Sequence, residues 1–122
     1  MDPRSLARAH ALGRVVVGGV LAAAPATAGS LWIGRDARRP GARVMTVAFG
    51  ARDLAIGLGT AYTLGQGHGA APWLRAGVLS DLADLFATRR ARADLPAAAA
   101  AAVTVVAASS AALGLWAQAA LD

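Results

Sequence analysis

Apolar residues fall along this chain in four long blocks, separated by clusters of glycine, proline and arginine. The first block runs from about residue 9 to 27, with Pro25 near its end. The second covers about residues 44–64, the third about 70–88 and the fourth about 95–121. Between the second and third stands Gly65-Gln66-Gly67-His68-Gly69, an uncharged turn whose three glycines resist helix continuation. The other two connections are basic: residues 34–43 carry Arg35, Arg38, Arg39 and Arg43, and residues 89–94 carry Arg89, Arg90 and Arg92. Pro96 suits the first turn of the last helix, where a missing N–H is tolerated. Long blocks joined by short connections predict an all-α protein, a four-helix bundle in antiparallel up-down order, with one domain over residues 1–122.

Charge decides which kind of bundle this is. Residues 15–34 and 95–121 contain no charged side chain, and each stretch reaches the roughly 20 residues that span a bilayer core. A helix packed on the outside of a soluble protein needs a polar face, which these stretches lack. The whole chain is 57% hydrophobic and only 16% charged, against about 25% charged in ordinary soluble domains. The four blocks are therefore read as transmembrane helices and the lipid bilayer as their first partner. Arg4, Arg8, Arg14, the apolar run 15–24 and Ala26-Thr27-Ala28 together mimic a cleavable signal peptide. Cleavage there would leave both basic connections outside, against the positive-inside tendency, so the segment is read as a retained helix.

All twelve basic side chains are arginine and all seven acidic ones aspartate, for a net charge of +5. With so much alanine and glycine, this usage points to a GC-rich genome. The arginines cluster beside apolar spans rather than along one polar face, so they are read as orientation signals, and no nucleic-acid partner is expected. Seven of them lie in the two basic connections, against Arg4, Arg8 and Arg14 on the opposite side. That balance places connections 34–43 and 89–94 in the cytoplasm and both termini outside. Tyr62, Trp73 and Trp116 fall near the glycine turn and Trp32 near the basic side, as amphipathic rings do at headgroup level. With no cysteine, the chain has no disulfide and no thiolate chemistry.

Against this background four residues stand out: Arg52 and Asp53 in the second block, Asp81 and Asp84 in the third. A charge at bilayer depth costs about 2.5–3.5 kcal/mol on insertion scales and persists only with a partner or a task. Counting out from the centre of the glycine turn at about 1.5 Å per residue puts Arg52 level with Asp81, which makes them the expected buried ion pair. Asp53, about 100° further round the helix, points to a different partner. Asp81 and Asp84 share a face, and Arg52 has the reach to bridge them; without a cation between them they would share a proton, the basis for a proton-coupled role. Thr46, Gly50, Asp53, Gly57 and Thr60 form one stripe of the second helix, and Gly77, Asp81, Asp84 and Thr88 one of the third. Small residues there favour close helix contact.

Other candidates are weaker. Asp81-x-x-Asp84 is half of a hard-cation site, but no further acids accompany it, so no metal is expected. His10 and His68 are both placed near the surface, and no set of nucleophile, base and orienting group can be assembled, so an enzyme is the least favoured class. Arg14 and Arg75 are placed to snorkel toward the interface. Gly57-x-Gly59 lacks the later glycine and the strand of a dinucleotide loop. No cofactor is expected.

The order Gly13-Arg14 and Pro25 in the first helix, Gly50-Ala51-Arg52-Asp53-Leu54-x-x-Gly57 in the second and Asp81-x-x-Asp84 in the third resembles an uncharacterised family of small four-helix integral membrane proteins from high-GC bacteria, a domain of unknown function. The resemblance covers nearly the whole chain. It implies a multi-pass protein of the bacterial plasma membrane and suggests Arg52, Asp53, Asp81 and Asp84 as signature positions, but it brings no activity. The main functional expectation is a small integral membrane protein whose buried Arg/Asp core fixes helix packing, within a homo-oligomer or beside a larger membrane partner. The alternative is a minimal proton- or ion-coupled transporter using Asp81 or Asp84. Small multidrug exporters share the length and four helices but use a glutamate in the first helix, and this chain has no glutamate.

Overall fold

The five prolines all stand at helix beginnings, where the missing N–H is one that no helix would satisfy. In the computed structural model, which describes residues 2–121, they help to define α1 (Pro3–Ala23), α2 (Pro25–Ile33), α3 (Pro40–Gly65), α4 (Ala71–Arg90) and α5 (Ala97–Leu121). A short 3₁₀ segment, Gly34–Arg38, joins α2 to α3. The described residues are all-helical and contain no strand. Asp2 caps α1, its carboxylate accepting from the N–H groups of Arg4 and Ser5 at 3.0 and 3.1 Å.

The first block departs from the expected single helix over 9–27. It starts at Pro3, breaks at Ala24 and resumes as α2 through Ile33. Proline crowds the residue before it out of the helical region, and Ala24 sits at φ −132°, ψ 60°. The basic connection is correspondingly shorter than 34–43, because α3 begins at Pro40 and takes Arg43 into its first turn. Gly34 ends α2 at φ +63°, and a Cβ there would also meet Pro96 Cγ at 2.9 Å, so only glycine fits.

Small residues determine which helices meet. A Cβ on Gly18 of α1 would lie 2.6 Å from the Gly50 carbonyl oxygen of α3, and one on Gly57 would lie 2.6 Å from the Ala11 carbonyl oxygen. The two backbones therefore touch, antiparallel, along the stripe that carries Thr46, Gly50, Asp53, Gly57 and Thr60, all buried. Arg4 donates to the Leu64 carbonyl at 3.3 Å, tying the start of α1 to the end of α3. On the other side α5 turns Ala107, Ala111, Gly114 and Ala117 inward, with Val78 of α4 against Gly114. The α3 stripe thus faces α1, not α4. Despite the tight turn that joins them, α3 and α4 pack far less extensively than α1 with α3 or α4 with α5.

Several polar side chains are buried while many large apolar ones face outward, beside a small apolar cluster around Leu64 and Leu74. Arg14, Thr46, Asp53, Thr60, Ser80, Asp81 and Thr88 are buried, and the largest fully buried side chain is Thr88. Leu31, Leu79 and Phe86 are 77%, 68% and 68% exposed, and valines of α1 and α5 likewise face outward. Helices α1, α3 and α5 are each long and apolar enough to cross a membrane. Helix α4 has the length, at 20 residues, but carries Arg75, Asp81, Asp84, Arg89 and Arg90.

Candidate functional site

The contact between α1 and α3 brings a third helix into the polar core. Arg14 lies on the face of α1 that also presents Ala7, Ala11 and Gly18, and it is 7% exposed. Its Nη1 donates to Asp53 Oδ1 on α3 at 3.2 Å. Its Nη2 turns to α4, donating to a carboxylate oxygen of Asp81 and to the Gly77 carbonyl at 3.1 Å, and to Ser110 Oγ of α5 at 3.2 Å. One planar guanidinium thus ties α1 to three other helices, a geometry lysine cannot reproduce. Gly77 packs directly under the guanidinium, where a Cβ would make an ordinary van der Waals contact with it at 3.4 Å.

Arg52 completes the network. Its Nη1 and Nη2 hold both oxygens of Asp84 at 3.0 and 2.6 Å, a bidentate pair. Asp53 Oδ1 lies 3.5 Å from Arg52 Nη2, so this carboxylate stands between both arginines. The Arg52 guanidinium carbon also lies 5.2 Å from the centre of the Phe49 ring, within cation–π range. Phe49 packs on Trp32 of α2, with ring centres 5.7 Å apart, and Trp32 Nε1 donates to Thr88 Oγ1 at 3.0 Å.

The four residues singled out from the sequence do converge, but with different pairing. The expected Arg52–Asp81 pair is replaced by Arg52–Asp84 and Arg14–Asp81. Backbone depth alone misleads here, because helical side chains lean toward the N-terminus of their helix. Arg52 therefore reaches back over Phe49, the residue level with Asp84. Asp81 and Asp84 each face a different guanidinium, so they share neither a bridging arginine nor a cation position. No group of three metal-ligating side chains gathers among the described residues.

Arg14 and His10 correct the sequence reading. Arg14 does not snorkel; it is the central donor of the core. His10, expected near the surface, is half-buried, with Nε2 2.8 Å from Ser110 Oγ. Ser110 Oγ thus meets both His10 Nε2 and the Arg14 guanidinium. The signal was present: Ala7, Ala11, Arg14 and Gly18 recur at spacings of four, three and four, one small-residue face of a helix.

Two spaces flank the network. A void of about 10 Å³ beside His10, Arg14 and Gly77 has room for a single water. A cavity of about 320 Å³ opens where α3 and α4 part, with Arg52 and Asp84 as its polar floor and Trp32, Met45, Phe49 and Leu95 among its walls. Compared with protein-family models, curated proteins and solved structures, the chain matches none.

Proposed function

We propose that this chain is a small multi-pass integral membrane protein in which α1, α3, α4 and α5 cross the bilayer as an antiparallel four-helix bundle and the Arg/Asp core fixes how they meet. The observation that carries this reading is that large apolar side chains cover the outside of the helices while Arg14, Asp53 and Asp81 are buried between them. It also accounts for α4. Its two central aspartates are neutralised by Arg14 and Arg52, and Arg89 and Arg90 lie in its last turn, where they reach the interface. Removing Arg14 from the surface count leaves seven exposed arginines at the basic end against Arg4, Arg8 and Arg75 at the other. That asymmetry favours basic connections in the cytoplasm of a bacterial plasma membrane. The role is non-enzymatic: a rigid membrane element that offers its apolar outside to a second copy or to a larger membrane partner. The resemblance to uncharacterised four-helix membrane proteins agrees with this architecture and adds no activity.

Because the chain lacks cysteine, single cysteines report topology cleanly. His68→Cys, in the glycine turn, should react with a membrane-impermeant maleimide on intact cells. Ala93→Cys, in the second basic connection, should react only after permeabilisation. Labelling of both from the same side would overturn the four-span arrangement.

A second reading, proton- or ion-coupled transport, is favoured by one feature: three carboxylates share two guanidiniums, and this network lies between the 320 Å³ cavity and the water-sized void. It requires Asp84→Asn to fold normally in proteoliposomes yet lose pH-gradient-driven flux. Unchanged flux, or no flux from the parent protein, would remove it.

A further inference from the structure

The space between α3 and α4 has the chemistry of a lipid site. Its walls are aromatic and aliphatic, and its only charged groups, Arg52 and Asp84, are already paired with each other. Toward the basic end its lining reaches Ala42, Ala91 and Leu95, and the charged neighbours in sequence are Arg43, Arg90, Arg92 and Asp94, all exposed. Across that whole end seven exposed arginines face only two acids, Asp36 and Asp94, and Asp36 is engaged by Arg39 at 3.0 Å. An apolar slot beneath a rim of net positive charge is complementary to an anionic amphiphile. At about 320 Å³ the slot has room for roughly ten groups of ~30 Å³ each, which is part of one acyl chain and too small for two.

We propose that the cavity between α2, α3 and α4 holds part of one acyl chain of an anionic phospholipid from the surrounding leaflet, with its phosphate gripped by the arginines at the cavity mouth. This rests on the membrane reading above. The seated chain fills the gap left where α3 and α4 fail to meet, and it covers the Arg52–Asp84 pair from the bilayer. The lipid is chosen by charge at the rim and by volume in the slot, so the two determinants are separable by mutation.

The experiment is native mass spectrometry of the full chain released from nanodiscs of equimolar phosphatidylglycerol and phosphatidylcholine. The parent protein should retain one phosphatidylglycerol in clear excess over phosphatidylcholine. Each rim arginine engaged should contribute roughly fivefold, the ratio equivalent to about 1 kcal/mol near an anionic surface. Ala87→Phe, which places a ring in the slot and leaves every rim arginine in place, should abolish retention. Arg43→Gln, Arg90→Gln and Arg92→Gln together should keep a lipid but lose the preference for phosphatidylglycerol. Equal retention of both lipids by the parent, unaltered retention by Ala87→Phe, or a lipid-free dimer in which a second copy fills the slot would overturn the proposal. Correct cysteine topology without a retained lipid refutes this inference alone; failure to insert in nanodiscs refutes the membrane reading beneath it.

Discussion

Replacing Arg14 with methionine tests the centre of the structure. The side chain donates to two carboxylates, one backbone carbonyl and one hydroxyl, each on a helix other than its own. The neutral acceptors contribute little, because hydrogen bonds between helices in membranes average about 0.6 kcal/mol. The carboxylates dominate. Asp53 keeps Arg52 at 3.5 Å, but among the described residues Asp81 has no second cation, and its side chain is only 8% exposed. Stranding one partner of a buried pair costs about 3–5 kcal/mol. A loss of that size is expected for Arg14→Met. Arg14→Met combined with Asp81→Leu should regain most of it, since a buried pair exchanged for apolar groups is close to neutral. Reversible unfolding in lipid bicelles, followed by the fluorescence of the three tryptophans, measures all three variants. An arginine at the interface would cost under about 1 kcal/mol. A loss that small for Arg14→Met, or a double variant as unstable as the summed singles, would refute the assignment.

Three further expectations follow from local geometry. Gly50→Ala should separate α1 from α3, because the new methyl meets the Gly18 carbonyl oxygen at 2.6 Å; a loss of about 1–3 kcal/mol is expected in the same unfolding assay, and Gly13→Ala, where nothing lies within 4 Å, is the matched control. Gly34→Ala should be destabilised twice over, by φ +63° and by the contact with Pro96, and should loosen α2 selectively, read as faster amide exchange across Pro25–Ile33 than in α5. Asp2 titrates below the ordinary aspartate range, because the Ser5 hydroxyl and the N–H groups of Ser5 and Arg4 all stabilise its charged form. Its contribution to the first turn of α1 is therefore present above the ordinary aspartate pKa and lost as pH falls through the lowered one. Helical Cα shifts at Arg4 and Ser5 should persist at neutral pH and collapse on acidification, and Asp2→Ala should lack them throughout.

Much of the site was legible in the sequence, but as positions rather than partners. Charged residues inside apolar blocks stand out by composition alone, which is why Arg52, Asp53, Asp81 and Asp84 were found. Arg14 was missed because it stands close to the basic N-terminal turns, where an arginine normally escapes to the interface. Its burial follows from the face it occupies, and that face becomes meaningful only when α1 is seen to pack on α3 and α5 with the Arg14 guanidinium reaching α4. The pairing of Arg52 failed for a smaller reason: residue counting locates α-carbons, whereas a guanidinium sits several ångströms further along the side chain, toward the start of its helix.

The amino-acid sequence by itself determined the helical blocks, the prolines that open them and the placement of charge inside them. These are local properties, summed over consecutive residues, and they do not depend on what packs where. Only the tertiary structure decided that the small-residue stripe of α3 meets α1 instead of its neighbour α4, through contacts such as Gly18 with Gly50. That choice draws Arg14 into the core, sends Arg52 to Asp84 and leaves α3 and α4 parted around a cavity. Helix rotation and crossing are set by contacts between residues remote in the chain, and no local pattern encodes the sum of those contacts.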